Sequence, residues 1–142
     1  GFGMPAAMGA ALSNPGVPVV DIAGDGSIQM NIQELATLSI NRIPVKICIL
    51  NNSYLGMVRQ WQELFHQRRY SFVDIQSPDF VTIAKGYGIA GQSVNDRKDL
   101  KAAIQEMLDY NGAYLLEVMV GKENNVFPMV PQGCSVAEIR LM

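Results

Sequence analysis

Two polar clusters carry the chemistry open to this chain, and each stands where a short apolar run stops. Gly24-Asp25-Gly26 follows the run at 17–22, and Asn51-Asn52 follows the run at 45–50. Runs so apolar and so rich in Val and Ile read as buried parallel strands. A carboxylate and an amide then stand side by side at the carboxyl ends of two strands, the edge where open α/β sheets bind ligands. Such oxygen donors suit magnesium, which takes about six oxygens at about 2.0–2.1 Å, commonly one or two carboxylates plus phosphate and water. Asp25 offers the carboxylate, Asn52 the amide oxygen and Tyr54 a backbone carbonyl from the following loop. Gly26 lets the backbone approach a phosphate, and Ser27 adds a hydroxyl and an amide at the start of a helical segment. A helix terminus of that kind carries about half a positive charge and favours an anion. Ordinary Asp-Gly and Asn-Asn turns are the competing reading of each cluster. Their joint placement at two strand ends brings the ligand reading level with the turns.

The elements that must position these residues are legible in outline. Met4, Ala7, Met8, Ala11 and Leu12 mark a core-facing helix, with Pro5 in its first turn and Asn14-Pro15-Gly16 as its stop. A second helix carries Ile32, Leu35, Ala36, Ile40 and Ile43 on one face, with Asn31 and Glu34 spaced as a capping box. Residues 55–67 read as a helix with Met57, Trp61, Leu64 and Phe65 on one stripe. After a polar loop at 68–76, Ser77-Pro78 reads as N-cap and first position of a short helix. That helix is closed by Gly86 and Gly88. A third strand is expected at 89–94, then a helix marked by Leu100, Ala103, Ile104, Met107 and Leu108, ended by Asn111-Gly112. The last strand is expected at 114–120, and the tail from Gly121 shows no clear period. Helices alternating with apolar strands predict one α/β domain, a parallel sheet with helices on both faces.

Bulk composition fits that class. A chain of 142 residues, 49% hydrophobic and 17% charged, is globular, and its length buries roughly 68–70% of the unfolded surface. A net charge of −2 gives no footprint for nucleic acid or an anionic membrane. No run approaches the roughly 18 apolar residues of a membrane span. Cys48, in a strand run, and Cys134, in the tail, make neither a disulfide framework nor a zinc site, which points to a reducing compartment. The abrupt opening Gly1-Phe2-Gly3-Met4-Pro5 reads as an excerpt of a longer protein. His66, the single histidine, falls at a helix end and reads as solvated, as do Arg68 and Arg69.

The spacing of the two clusters resembles the cofactor motif of thiamine diphosphate enzymes, Gly-Asp-Gly followed by Asn-Asn. Asn52 lies 27 positions after Asp25, inside that family's interval. Further stretches resemble the large subunit of acetolactate synthases: Gly1-Phe2-Gly3-Met4-Pro5-Ala6-Ala7, Gln33-Glu34-Leu35-Ala36-Thr37, Gly56-Met57-Val58-Arg59-Gln60-Trp61-Gln62, Pro78-Asp79-Phe80 and Pro128-Met129-Val130-Pro131. The resemblance covers nearly the whole chain, least closely at 97–111. It implies that residues 1–142 are the carboxyl-terminal, diphosphate-binding domain of a multidomain enzyme.

By that resemblance Asp25 and Asn52 are magnesium ligands, Tyr54 gives a backbone oxygen, and Gly24, Gly26, Ser27, Leu55, Gly56 and Met57 contact thiamine diphosphate. Met57, Val58 and Trp61 match the substrate pocket, Trp61 being linked to choice of a larger second keto acid. The residues alone also allow Met57, Trp61 and Phe65 to be a plain core stripe. The implied reaction joins the two-carbon unit of pyruvate, after loss of carbon dioxide, to a second 2-keto acid such as 2-ketobutyrate. Two upstream domains are implied, one for the pyrimidine ring and one for FAD, in a homodimer whose active sites lie between subunits. The activating glutamate lies upstream, so the excerpt alone is expected to be inactive and to expose apolar surface. A regulatory small subunit is compatible with the resemblance. The implied setting is cytoplasmic in a bacterium and organellar in a eukaryote. Related readings are a FAD-independent catabolic acetolactate synthase, glyoxylate carboligase or a 2-keto acid decarboxylase. A reading from another class is a non-catalytic α/β module that binds metal and phosphate.

Overall fold

A computed structural model describes residues 1–141. The chain order is α1 (Gly3–Ser13), β1 (Val19–Gly24), α2 (Asp25–Gln29), a 3-10 turn (Ile32–Glu34), α3 (Leu35–Ile40) and β2 (Val45–Asn51). Then follow α4 (Gly56–Phe65), α5 (Phe80–Gly86), β3 (Ala90–Val94), α6 (Arg97–Asp109) and β4 (Tyr114–Met119). A second 3-10 turn, Val136–Glu138, carries a capping box from Ser135 and Glu138 in the tail that showed no periodicity. The four strands are all parallel, in the spatial order β1-β2-β4-β3. Helices α1, α2, α3 and α5 bury Met8, Ile28, Leu38 and Phe80 against Ile47, Ile49 and Leu115 on one face. Helix α6 buries Ala103 and Met107 against Val94, Leu116 and Val118 on the other. The expected sheet with helices on both faces is what forms.

Several local expectations are corrected. The first strand starts after Pro18 and reaches Gly24, two residues further than expected, so Asp25 opens a helix instead of sitting in a turn. Nor is that strand wholly buried. It lies at the sheet edge and α6 covers β3 and β4, which leaves Val20, Ile22 and Leu50 exposed on that face. The helix expected through 32–43 is broken into the 3-10 turn and α3. No Asn31–Glu34 capping box forms, because Asn31 donates to the Gly1 carbonyl and Glu34 accepts from the Thr37 hydroxyl. Ser77 and Pro78 lie before α5 and do not start it. Asp79 is the cap, accepting from the Thr82 amide at 2.8 Å and the Thr82 hydroxyl at 2.6 Å, and these bonds hold its carboxyl below the usual range. His66 and Arg68 are exposed, as expected. Cys48 is half-buried on the α6 side, and burial pushes its thiol up.

One charge inside the core is a liability. Asp21 is 5% exposed, its Oδ1 in the space a Cβ on Gly3 of α1 would need and its Oδ2 without a hydrogen-bond partner. Burial raises its pKa. A raised folded-state pKa stabilises the fold only below the unfolded value, and that stability is lost as pH rises through the folded one. Asp21→Asn should therefore be more stable than the parent at neutral pH, with the gap closing as pH falls into the ordinary aspartate range. Urea unfolding at both pH values checks this.

Candidate functional site

Parallel register brings the two clusters together. Gly24 pairs with Leu50 across β1 and β2, so Asp25 and Asn52 leave the same sheet edge although 27 positions separate them. Gly24, Asp25, Gly26, Ser27, Asn52, Tyr54, Leu55, Gly56, Met57 and Val58 line one cavity of about 300 Å3, together with Leu50 of β2. Every residue read from the sequence as a cofactor or metal contact is in that lining. Trp61 is not. It sits one turn further along α4, half-buried, its ring 5.0 Å from that of Phe65.

The two asparagines do build turns, as the plainer reading held. Asn51 Oδ1 accepts from the Ser53 amide and Asn52 Oδ1 from the Tyr54 amide, each at 3.0 Å. These are successive side-chain-to-backbone turns. They carry the chain through a left-handed Ser53 (φ 56°). An amide oxygen has a second lone pair, so Asn52 Oδ1 can still face a cation. Residues 53–55 then pair with 73–75, through Leu55 N–H to the Val73 carbonyl (2.8 Å) and Ile75 N–H to the Ser53 carbonyl (3.0 Å). The Tyr54 carbonyl between them receives no hydrogen bond among the described residues.

The donor set fits magnesium. Asp25 is buried, and its Oδ2 accepts from the Ser77 hydroxyl at 2.8 Å while Oδ1 receives nothing among the described residues. The three residues that carry a free carboxylate oxygen, an amide oxygen and a free carbonyl, Asp25, Asn52 and Tyr54, all line the cavity. Among the described residues there is no cluster of three or more His, Cys, Asp or Glu side chains. A small protein share completed by phosphate and water is how magnesium is usually held.

The anion side is equally concrete. Helices α2 and α4 both begin at the cavity, and neither has a side-chain cap on its first N–H groups. Uncapped helix starts favour anions. Gly24 has an extended backbone, and a Cβ there would meet nothing within 4 Å, so neither conformation nor packing requires a glycine. What glycine leaves is clearance on the cavity side. Gly26 differs, since a Cβ would come within 2.9 Å of Leu55 Cδ2 and 3.3 Å of Ile75 Cδ1. Ser27 lines the cavity from the first turn of α2, as expected, and its hydroxyl accepts from the Gly1 amino group.

Helix α4 is turned opposite to the core-stripe expectation. Its buried residues are Arg59 and Gln60, while Met57 and Val58 are about half exposed and Phe65 is exposed. No residue of α4 joins either apolar core. Arg59 pairs with Glu63 at 2.8 Å and donates to Asn125 and the Glu123 carbonyl. Gln60 donates to the Val126 carbonyl and accepts from its amide. Hydrogen bonds from Asn125 and Arg59 hold the Glu63 carboxyl below its ordinary range. The tail at 123–126 thus straps the polar side of α4, and the apolar side faces outward beside the cavity. Sequence reasoning missed this clasp and Glu117, and it named Asn51 and Ser77 without finding their contacts. A charge inside the apolar run of β4 was the one available signal for Glu117.

A wider, open cleft of about 1000 Å3 lies beyond Ser77, bordered by Asp74, Asp79, Lys85, Glu117 and Lys122. It contains neither Asp25 nor Asn52, and its charges are mixed, so the smaller cavity is the candidate site.

Residues 1–118 match the thiamine pyrophosphate enzyme family, C-terminal TPP binding domain. The chain is 49% identical over 141 residues to acetolactate synthase 1, chloroplastic, of Oryza sativa subsp. japonica, covering 94% of this chain and 22% of that protein. It is 47% identical over 140 residues to the acetolactate synthase isozyme 2 large subunit of Escherichia coli (strain K12), covering 98% of this chain and 26% of that protein. The chain thus spans about a quarter of the length of these relatives. Among solved structures, the Rhodococcus jostii RHA1 thiamine diphosphate-dependent 4-hydroxybenzoylformate decarboxylase matches with a TM-score of 0.79 and 35% identity, over 84% of this chain and 23% of that one. Among the described residues no helix is long and apolar enough to cross a membrane.

Arg59→Ala should release the 123–126 strap. Amide exchange in that stretch is expected to rise at least about tenfold, corresponding to loss of one charge-assisted hydrogen bond of about 1.5–3 kcal/mol. Hydrogen-exchange mass spectrometry reads this directly, with the strands as the unchanged reference.

Proposed function

Because the chain belongs to the thiamine pyrophosphate enzymes, as their C-terminal TPP-binding domain, we propose that its strand-end cavity holds the magnesium diphosphate of that cofactor. Asp25 Oδ1, Asn52 Oδ1 and the Tyr54 carbonyl would hold Mg2+. The N–H groups opening α2 and α4, with Gly24, Gly26, Ser27, Leu55 and Gly56, would hold the diphosphate. The observation that carries this reading is the convergence of two uncapped helix starts and three oxygen donors on one cavity of about 300 Å3. A non-catalytic phosphate-binding module would not account for the family match across 1–118.

The complete protein, on this proposal, is an acetolactate synthase that decarboxylates pyruvate and joins the two-carbon unit to a second 2-keto acid. The support is identity of 47–49% to proteins of that name across nearly the whole chain. Thiamine diphosphate, when bound, supplies an electron sink for the decarboxylation. The residues of this chain orient and shield. Asp25 and Asn52 fix the diphosphate end, and Gly24 gives clearance. Met57 and Val58 form an apolar wall that limits water. Trp61, three and four residues further along α4, lies on the same helix face and sets the room for the second keto acid. FAD, a pyrimidine-binding domain and a homodimer with shared active sites belong to the same proposal, with 2-ketobutyrate as competing acceptor. So does a cytoplasmic setting in a bacterium or an organellar one in a eukaryote. The decarboxylase match favours one alternative, loss of carbon dioxide without ligation.

Two outcomes are expected. Asp25→Ala should abolish Mg2+-dependent binding of thiamine diphosphate by calorimetry. Gly24→Ala should leave the melting temperature of the ligand-free protein unchanged yet weaken binding at least about tenfold, since the new methyl meets ligand and not protein. For the whole reaction, the complete parent protein with Mg2+, thiamine diphosphate and FAD should form acetolactate from pyruvate. Adding 2-ketobutyrate should divert product to acetohydroxybutyrate, and Trp61→Ala should reduce that diversion. Acetaldehyde with no ligated product would move the protein to the decarboxylase branch.

A further inference from the structure

Ser77 has the sequence context of a helix cap, yet its hydroxyl caps nothing. It donates to Asp25 Oδ2 at 2.8 Å and lies 3.4 Å from Asn51 Oδ1. A hydroxyl has one proton to donate, and the shorter, charge-assisted contact takes it. Behind this contact stands a second one. Asn51 Nδ2 donates to Glu117 Oε1 at 2.8 Å, both residues being more than nine-tenths buried. That bond sets the Asn51 amide so that its oxygen faces Ser53 and Ser77. The four groups come from the start of α2, the end of β2, the middle of β4 and the loop before α5.

The arrangement divides the work of one carboxylate. Rotation of an aspartate carboxylate about its last torsion is soft, with no sharp staggered wells. With Oδ2 tied to Ser77, that rotation is restrained, and Oδ1, which receives no hydrogen bond among the described residues, is the oxygen left free on a residue that lines the cavity. We propose that Ser77, held beside the buried Asn51–Glu117 pair, is the positioning residue that sets Asp25 as a one-oxygen magnesium ligand. This rests on the reading of the cavity as a magnesium diphosphate site. Its chemistry is that of outer contacts that orient metal ligands, whose loss typically weakens metal binding by about 10–100-fold.

The test uses the complete protein, without substrate, and reads the Mg2+ concentration that half-saturates thiamine diphosphate binding by calorimetry. Ser77→Ala should raise that concentration about tenfold or more. Ser77→Thr, which keeps a hydroxyl, should stay within about twofold of the parent. An unchanged Mg2+ requirement in Ser77→Ala overturns the proposal. So does an equal shift in both variants, which would trace the effect to loop packing and not to the hydroxyl. Asp25→Ala separates the two levels. If it binds with the parent's Mg2+ dependence, the cavity reading itself fails. If it loses binding while Ser77→Ala is normal, only the role of Ser77 fails.

Discussion

The structure depends on one pairing, the parallel register of β1 with β2. It sets Gly24 beside Leu50 and thereby puts the residues after each strand on one edge. Parallel strands need a crossover between them, and here α2, the 3-10 turn and α3 form it. The same segment that returns the chain also lines the cavity, since Asp25, Gly26 and Ser27 are its first residues. Slipping the register by a single residue would turn every β1 side chain to the other face. Asp21 and Ala23 would leave the core, and Val20 and Ile22 would enter it. Burial of Ile47, Ile49, Leu35 and Leu38, all fully inaccessible, holds the register against that.

Around this edge the chain uses polar contacts where a core would use apolar ones. Helix α4 has no share in either apolar cluster and is held by Arg59 and Gln60 to the tail. The Asn51–Glu117 pair is buried in the same way beside the strand ends. Buried polar groups require partners, and here those partners come from distant segments. The result is a rigid frame with apolar side chains on its outer side. Such a surface suits an apolar ligand that must be kept from water.

The sheet was legible because its strands are short apolar runs and its ligand edge is marked by Asp25 and Asn52. The cavity lining followed from those two positions and the motif around them. What failed was whatever depended on tertiary neighbours. The stripe of Met57, Trp61 and Phe65 shows that α4 is two-sided, but periodicity does not say which side faces in. Ser77-Pro78 satisfies the local rules of a helix start, yet Asp79 offers the Thr82 amide and hydroxyl a better partner. Ser77 is thereby left to Asp25. The run at 17–22 reads as buried, but edge position and the reach of α6 decide that Val20 and Ile22 stay open. Glu117 looks like an interruption in an apolar strand until Asn51 is set beside it.

The outward set of α4 has a consequence for how this protein changes over time. In an ordinary amphipathic helix the apolar side chains hold the fold, so altering them costs stability and most replacements are purged. Here Arg59 and Gln60 bear that duty, and Met57, Val58 and Trp61 are released from it. Replacements on that face can accumulate without unfolding the domain. A lineage can therefore alter what the cavity mouth admits by point substitutions that leave the scaffold intact.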